Sequence, residues 1–110
     1  MAQGGSCEWP IPVTSWRDAV LWMETQVAAK RPDIVLIGCG GLGMILGARL
    51  KAAGIPCVVL GGAIQVLFGI KGKRWEKHSV ISEFWNDAWV SPAADEVPTA
   101  AHIVEGGCYW

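Results

Sequence analysis

At 110 residues the chain is long enough for one domain at most. Its 52% apolar and 17% charged residues exclude an intrinsically disordered chain. The net charge of −1 gives no general attraction to nucleic acid or anionic membranes, so we expect neither as a partner. No uninterrupted apolar run reaches the roughly 20 residues of a membrane-spanning helix. Because no basic N-terminal start precedes an apolar stretch, we predict a cytoplasmic location.

The first structured element is predicted to be a helix that begins at residue 15. Residues 1–14 hold two glycines and two prolines without any period, which indicates an irregular lead-in before a domain over residues 15–110. Ser15 and Asp18 have the spacing of a capping box. Pro32 is expected to end the helix. The apolar stripe of this helix is formed by Trp16, Val20, Met23 and Val27.

A buried strand and a glycine-rich turn are predicted next. Four apolar residues at 34–37 suit a strand, over about 34–38, that is covered on both faces of a parallel sheet. Gly38, Gly40 and Gly43 then follow the GxGxxG spacing, with Gly41 between them, before a helix over about 42–53. A helix N-terminus favours anions, so this turn predicts a phosphate or diphosphate site. The alternative is that the glycines only make a tight turn and allow close packing.

A second buried strand over 56–60 is expected to lie parallel to the first. Together with the helix between them, the two strands predict a Rossmann-like, three-layer α/β unit with a short parallel sheet. Gly61 and Gly62 follow the second strand, where a dinucleotide-binding domain usually has an acidic residue for the ribose. No acid occurs between Asp33 and Glu76, which argues against an NAD-type oxidoreductase domain.

A short buried helix over 63–70, polar only at Gln65 and Gly69, is predicted to precede a basic loop over residues 71–77. This loop follows the second glycine turn, at the carboxyl end of a strand, where α/β sheets bind ligands. Arg74 could hold a phosphate in bidentate fashion, while Trp75 offers a flat face to a base or sugar. A solvated basic loop is the alternative interpretation.

The last third of the chain is predicted to be a helix, a polar loop and a docked C-terminal segment. The helix spans 79–88, with Ile81, Phe84, Trp85 and Ala88 facing inward. Residues 93–101 form the loop, and the closing Glu-Gly-Gly-Cys-Tyr-Trp is expected to dock onto the domain.

The four cysteines and two histidines lack zinc-ligand spacing. Cys39 is predicted to be a small buried thiol.

Three stretches together resemble a known family. They are residues 33–40 (DIVLIGCG), residues 60–75 (LGGAIQVLFGIKGKRW) and residues 105–110 (EGGCYW). They are similar to bacterial and viral domains classed as GT-D fold-like, which are related to the GT-D glycosyltransferases. The resemblance covers residues 15–110 and implies an α/β fold that binds a nucleotide sugar, with sugar transfer to a glycan acceptor in glycan or surface-polysaccharide synthesis.

The chain departs from that family in two respects. The family domain is longer at its N-terminus, so the chain corresponds to a C-terminal half, which predicts an incomplete GT-D-like domain. A fragment, a degenerate copy, and a chain whose sheet is completed by a partner or a second copy all stay open. In addition, GT-D enzymes carry an acidic DxE motif near the end of the second strand, whereas residues 61–66 contain no acid. A divalent metal is therefore not expected, and cationic side chains would have to neutralise the diphosphate.

The preferred interpretation is a nucleotide-sugar-dependent, glycosyltransferase-like domain. The first glycine turn and the basic loop would face one diphosphate from two sides and stabilise the leaving nucleoside diphosphate. Glu76 and His78 are the nearest candidates for a general base. The alternatives are a non-catalytic module that binds a nucleotide or a partner protein, and the NAD-type domain. The predicted diphosphate-binding residues are Gly38, Gly40, Gly41, Gly43, Gly61, Gly62, Gln65, Lys71, Lys73, Arg74 and Trp75.

Overall fold

The computed structural model describes residues 13–110 and has a mixed α/β fold around a two-stranded parallel sheet. Residues 1–12, which include most of the predicted lead-in, lie outside the described part. The first four regular elements are α1 (Trp16–Lys30), β1 (Val35–Ile37), α2 (Leu42–Ala52) and β2 (Cys57–Val59). Two short helices follow, α3 (Ile64–Leu67) and α4 (Lys73–Glu76). Single 3-10 turns cover Gly61–Ala63, Ile81–Phe84, Ala94–Glu96, Ala101–Ile103 and Glu105–Gly107.

Helix α1 begins with the predicted capping box. The Ser15 hydroxyl accepts a hydrogen bond from the Asp18 backbone N–H at 3.2 Å, and Asp18 Oδ2 accepts one from the Ser15 backbone N–H at 3.0 Å. The helix ends at Lys30, two residues before Pro32, and Arg31 takes a left-handed conformation as the C-cap. Of the predicted stripe, Val20 and Met23 are buried and Val27 is half-buried. Trp16, at the start of the helix, is 48% exposed.

The strands pair as the sequence predicts. They are parallel, and their register joins Val35 to Cys57, Leu36 to Val58 and Ile37 to Val59. The face that carries Ile37 packs against α1 and α2 and forms the core, in which Leu50 of α2 is fully buried. An ion pair of 2.6 Å between Arg49 Nε and Glu24 Oε2 also joins the two helices. The remaining buried apolar residues of this core are Val20, Met23, Cys39 and Leu46.

The prediction that the strands are covered on both faces is wrong for the structure described. Leu36 and Val58 lie side by side on the face opposite the core, and 38% and 43% of their surfaces are exposed. Side chains alternate between the two faces of a strand, so Leu36 points away from the face that carries Ile37. Both helices pack against the Ile37 face. Ile45 of α2 is also 40% exposed. The established fold is therefore a mixed α/β domain with one covered sheet face.

The segment predicted as a buried helix over 63–70 is shorter and more exposed than expected. It forms a 3-10 turn at Gly61–Ala63 that continues into α3, and Leu67 and Phe68 are 64% and 61% exposed. Gly69 takes a φ of +63°, and the Ile70 N–H returns to the Gln65 carbonyl at 2.8 Å. A glycine in this conformation ends a helix.

The predicted helix over 79–88 is wrong apart from one 3-10 turn at Ile81–Phe84. Phe84 is 61% exposed and Ala88 is also exposed, whereas Trp85 is half-buried. The Asn86 side-chain oxygen accepts a hydrogen bond from the Ala88 N–H at 2.9 Å. Such a local side-chain bond offers the backbone an alternative to the helix and explains why it stops. Beyond it, Val90 forms a parallel bridge with Ile70.

Candidate functional site

A cavity of about 770 Å³ opens beside the carboxyl ends of both strands. Gly38 and Gly40 of the first glycine turn, Gly62 of the second turn, and Gln65 of α3 line one side of it. The C-terminal third of the chain supplies much of the remaining lining, including Glu96, Glu105, Tyr109 and Trp110. Open α/β sheets bind ligands at this edge, and the volume lies in the range of small-molecule sites.

The first glycine turn combines positive backbone φ with close packing. Gly40 has a φ of +58°, which a residue with a side chain rarely adopts. Gly38 lies so close to the second turn that a Cβ at this position would collide with Ile64 and would lie 2.9 Å from the Gly61 carbonyl oxygen. A Cβ on Gly43 would lie 3.1 Å from Val59 of β2. Gly43 thus serves helix–strand packing, whereas Gly38 and Gly40 also line the cavity.

The C-terminal segment docks across α3 and α4, as the sequence predicts. Gln65 Nε2 donates to the Tyr109 carbonyl oxygen at 2.7 Å, and the Arg74 backbone N–H donates to the Cys108 carbonyl oxygen at 2.9 Å. Gly72 is buried against this segment, where a Cβ would lie 3.2 Å from the Cys108 oxygen. These contacts place Tyr109 and Trp110 in the cavity wall.

Arg74 lies at the edge of the cavity and is already partnered. Its Nη1 donates to the Tyr109 hydroxyl at 2.8 Å and to Glu105 Oε2 at 3.2 Å. The same nitrogen lies beside the second glycine turn, 3.7 Å from where a Cβ on Gly62 would be. Burial raises the pKa of the Tyr109 hydroxyl above its ordinary value of 10.0. The hydroxyl donates in turn to Glu105 Oε2 at 3.4 Å.

The other residues of the predicted basic loop do not line the cavity. Lys71 Nζ lies 5.8 Å from the centre of the Trp85 ring, and Lys73 is exposed on α4. Trp75 is half-buried, and its ring centre lies 6.0 Å from that of His78. Of the predicted site residues, the cavity brings together Gly38, Gly40, Gly62 and Gln65, with Arg74 beside them. Outside its lining lie Gly41, Gly43, Gly61, Lys71, Lys73 and Trp75.

Neither predicted candidate for a general base lines the cavity. Glu76 is exposed at the end of α4. His78 Nδ1 accepts hydrogen bonds from the backbone N–H groups of Val80 and Ile81, each at 3.3 Å. The imidazole thereby caps the turn that follows, which is a structural role for this nitrogen.

The sequence analysis did not place Glu96, Glu105, Tyr109 or Trp110 in the site. For three of them a signal was present, because the closing EGGCYW stretch was predicted to dock and belongs to the family resemblance. Glu96 carried no such signal, since it lies in a polar loop with ordinary loop composition. In the structure Glu96 lines the cavity, and its Oε2 accepts a hydrogen bond from the Ala93 N–H at 2.8 Å at the start of the 3-10 turn Ala94–Glu96.

Metal-ligating and nucleophilic side chains are scattered over the described chain. Within residues 13–110, no group of three or more His, Cys, Asp or Glu side chains is arranged to hold a metal ion. Cys39 is buried, as predicted, and burial raises the pKa of its thiol. Among the helices of this part of the chain, none has the length and apolar character needed to cross a membrane.

Comparisons with known proteins add no family to these observations. No family model, no curated protein and no solved structure matches the chain. The resemblance to GT-D fold-like domains therefore stays a prediction from the sequence, and the cavity with its lining residues is the basis for any functional conclusion.

Proposed function

We propose that the chain is a glycosyltransferase-like domain that binds a nucleotide sugar through its diphosphate, in glycan or surface-polysaccharide synthesis. The observation that carries this proposal is the cavity at the carboxyl ends of β1 and β2, with both glycine turns in its wall. Gly40 lines the cavity without a side chain, so a ligand can approach its backbone closely. The Rossmann-like, GT-D-like architecture and a cytoplasmic location are further parts of the proposal.

Arg74 is the cation that would hold the diphosphate. Its guanidinium lies beside Gly62 at the edge of the cavity, and its planar donors suit bidentate contacts with phosphate. The Glu105 carboxylate now occupies one of those donors. A phosphate would bind the guanidinium donors other than Nη1, so Arg74 would stay paired with Glu105, and the charge that develops on a leaving nucleoside diphosphate would be stabilised there. Lys71 and Lys73 are assigned no direct contact.

A second candidate function is a non-catalytic module that binds a nucleotide or a partner protein. The observation that favours it is the position of Glu76 and His78, because neither proposed base lines the cavity. The exposed pair Leu36 and Val58 fits a partner chain or second copy that completes the sheet. Turnover separates the two candidates: release of UDP or GDP from a nucleotide sugar, in the presence of glycan acceptors, supports the enzyme.

The proposal is tested by calorimetric titration with UDP and GDP. Arg74→Ala is expected to weaken binding by about 1.5–3 kcal/mol, the range for hydrogen bonds to charged groups. Arg74→Lys should recover part of the loss, since lysine lacks the planar fork. Lys73→Ala is the matched control and should bind like the wild type, because Lys73 is exposed on α4 whereas Arg74 lies beside Gly62.

One further variant and two outcomes test the proposal. Tyr109→Phe removes the hydroxyl that contacts Arg74 but keeps the guanidinium, so it should retain nucleotide binding even where it loosens the C-terminal segment. Absence of binding to both UDP and GDP would refute the proposed function. Thermal stabilisation by NAD alone would favour the oxidoreductase interpretation instead.

A further inference from the structure

The cavity combines an anionic lining with aromatic walls. The charged residues that line it, within the described part of the chain, are Glu96 and Glu105, and neither a lysine nor an arginine is among them. Tyr109 and Trp110 also line it, with ring centres 6.1 Å apart and planes at 84°. Carboxylates repel a diphosphate, because both are negatively charged. We therefore expect this lining to face the part of the ligand beyond the phosphates.

The two carboxylates differ in their partners. Glu105 Oε2 accepts hydrogen bonds from Arg74 Nη1 and the Tyr109 hydroxyl, so a cation compensates its charge. Glu96 Oε2 accepts one backbone N–H, that of Ala93, and forms no ion pair with a residue in 13–110. Glu96 is therefore the lining charge that no described cation compensates.

These properties favour a hydroxylated and uncharged ligand group. An ionised carboxylate only accepts hydrogen bonds, and sugar hydroxyls are suitable donors. The faces of aromatic rings carry partial negative charge and suit the weakly positive C–H groups of a sugar ring. A second carboxylate in the same cavity would instead be repelled by Glu96, because like charges held close together are destabilising.

We propose that the cavity holds the glycosyl group of a nucleotide sugar and that Glu96 selects an uncharged sugar over a uronic acid. This inference rests on the proposed function, with Arg74 at the edge of the cavity on the phosphates and Glu96 on the sugar. Glu96 is a specificity-determining residue here and takes no part in bond making or breaking.

The test compares two nucleotide sugars that differ mainly in one carboxylate. UDP-glucose and UDP-glucuronate, or GDP-mannose and GDP-mannuronate if GDP binds better than UDP, are titrated against the wild type by calorimetry. We expect the uncharged sugar to bind about tenfold tighter than the uronate at low salt, as for a close like-charge contact. The ratio should fall as salt is added, since salt screens charges that are open to solvent.

Glu96→Gln keeps the acceptor for the Ala93 N–H and removes the charge, so the affinity ratio should fall towards one while affinity for UDP is unchanged. Glu83→Gln is the matched control, since Glu83 is exposed, as Glu96 is, but lies outside the cavity lining, and it should keep the wild-type ratio. Melting curves of both variants check that the fold is retained. Equal wild-type affinities for the two sugars, or a preference that survives in Glu96→Gln, would overturn this inference while UDP binding still supports the proposed function. Failure of UDP and GDP to bind would overturn both.

Discussion

Arg74 Nη1 donates a hydrogen bond of 2.8 Å to the Tyr109 hydroxyl, which ties the C-terminal segment to α4. The Arg74 backbone N–H donates to the neighbouring Cys108 carbonyl oxygen at 2.9 Å, so one residue holds the segment through both its main chain and its side chain. The residue that the sequence predicts for phosphate therefore also has a structural role. Its substitution is expected to affect both binding and stability, and the two effects can be measured separately.

The Arg74–Tyr109 contact is tested by a double-mutant cycle. Tyr109→Phe should lower the free energy of unfolding by about 0.5–1.5 kcal/mol, the usual contribution of a hydrogen bond. Arg74→Ala combined with Tyr109→Phe should lose less than the sum of the single losses, because both changes remove the same bond. Urea denaturation of the four proteins measures the coupling. Strict additivity would show that the hydroxyl and the guanidinium do not interact.

The core between α1, α2 and the sheet is tested by substitution of Leu50, which is fully buried. Leu50→Ala should lower the free energy of unfolding by about 2–5 kcal/mol, because it removes buried methyl groups and leaves a cavity. Leu67→Ala is the control, since Leu67 is 64% exposed, and it should change stability by no more than about 0.5 kcal/mol. Similar losses in the two variants would contradict the burial described for α2.

The close approach of the two glycine turns is tested with Gly38→Ala. The new methyl group would collide with Ile64 and lie 2.9 Å from the Gly61 carbonyl oxygen. We expect a loss of about 1–3 kcal/mol in the free energy of unfolding, as for other overpacked positions. Ile64→Ala in the same chain should relieve part of the collision. A neutral Gly38→Ala would mean that the turns lie further apart than described.

The capping box predicts a pH dependence of α1. Hydrogen bonds from the Ser15 hydroxyl and then the Thr14 hydroxyl lower the pKa of Asp18 from its ordinary value of 3.8. A pKa lowered by folding means that the ionised form stabilises the native state. This stabilisation is complete above the pKa of the unfolded chain and is lost as the pH falls through the lower pKa of the folded chain.

Two variants check this dependence. Asp18→Asn should lower the melting temperature at neutral pH, and its difference from the wild type should shrink as the pH falls below 3.8. Ser15→Ala removes the strongest cause, so the pKa of Asp18, followed by NMR titration of its carboxyl group, should rise towards the ordinary value. An unchanged titration in Ser15→Ala would assign the lowered pKa to another cause.

The local elements could be predicted where short-range chemistry decides them. The capping box at Ser15, the stop near Pro32 and the glycine turn after β1 each depend on a few neighbouring residues, and all three are present. The helix predicted over 79–88 failed for a similarly local reason, since the Asn86 side chain bonds to the Ala88 N–H. Phe84, predicted to face inward, is 61% exposed.

The candidate site could be predicted only in part. Gly38, Gly40 and Gly62 were identified because turns after parallel strands come together at one edge of a sheet. Lys71 and Lys73 were expected there on sequence proximity, but the direction of α4 places only Arg74 beside Gly62. The position of Glu96 in the cavity lining could not be foreseen, because residues this far from the glycine turns in sequence meet them only when the whole chain packs.

The sequence by itself determined the parallel β1–β2 pair, the covering helices and the docking of the C-terminal segment. These features follow from apolar periodicity, glycine turns and capping residues, whose effects extend over a few residues of chain. Only the tertiary structure decided that Arg74 pairs with Glu105 and Tyr109, and that Leu36 and Val58 stay exposed. Charge pairing and burial depend on which distant segments meet, and that is settled when the whole chain packs.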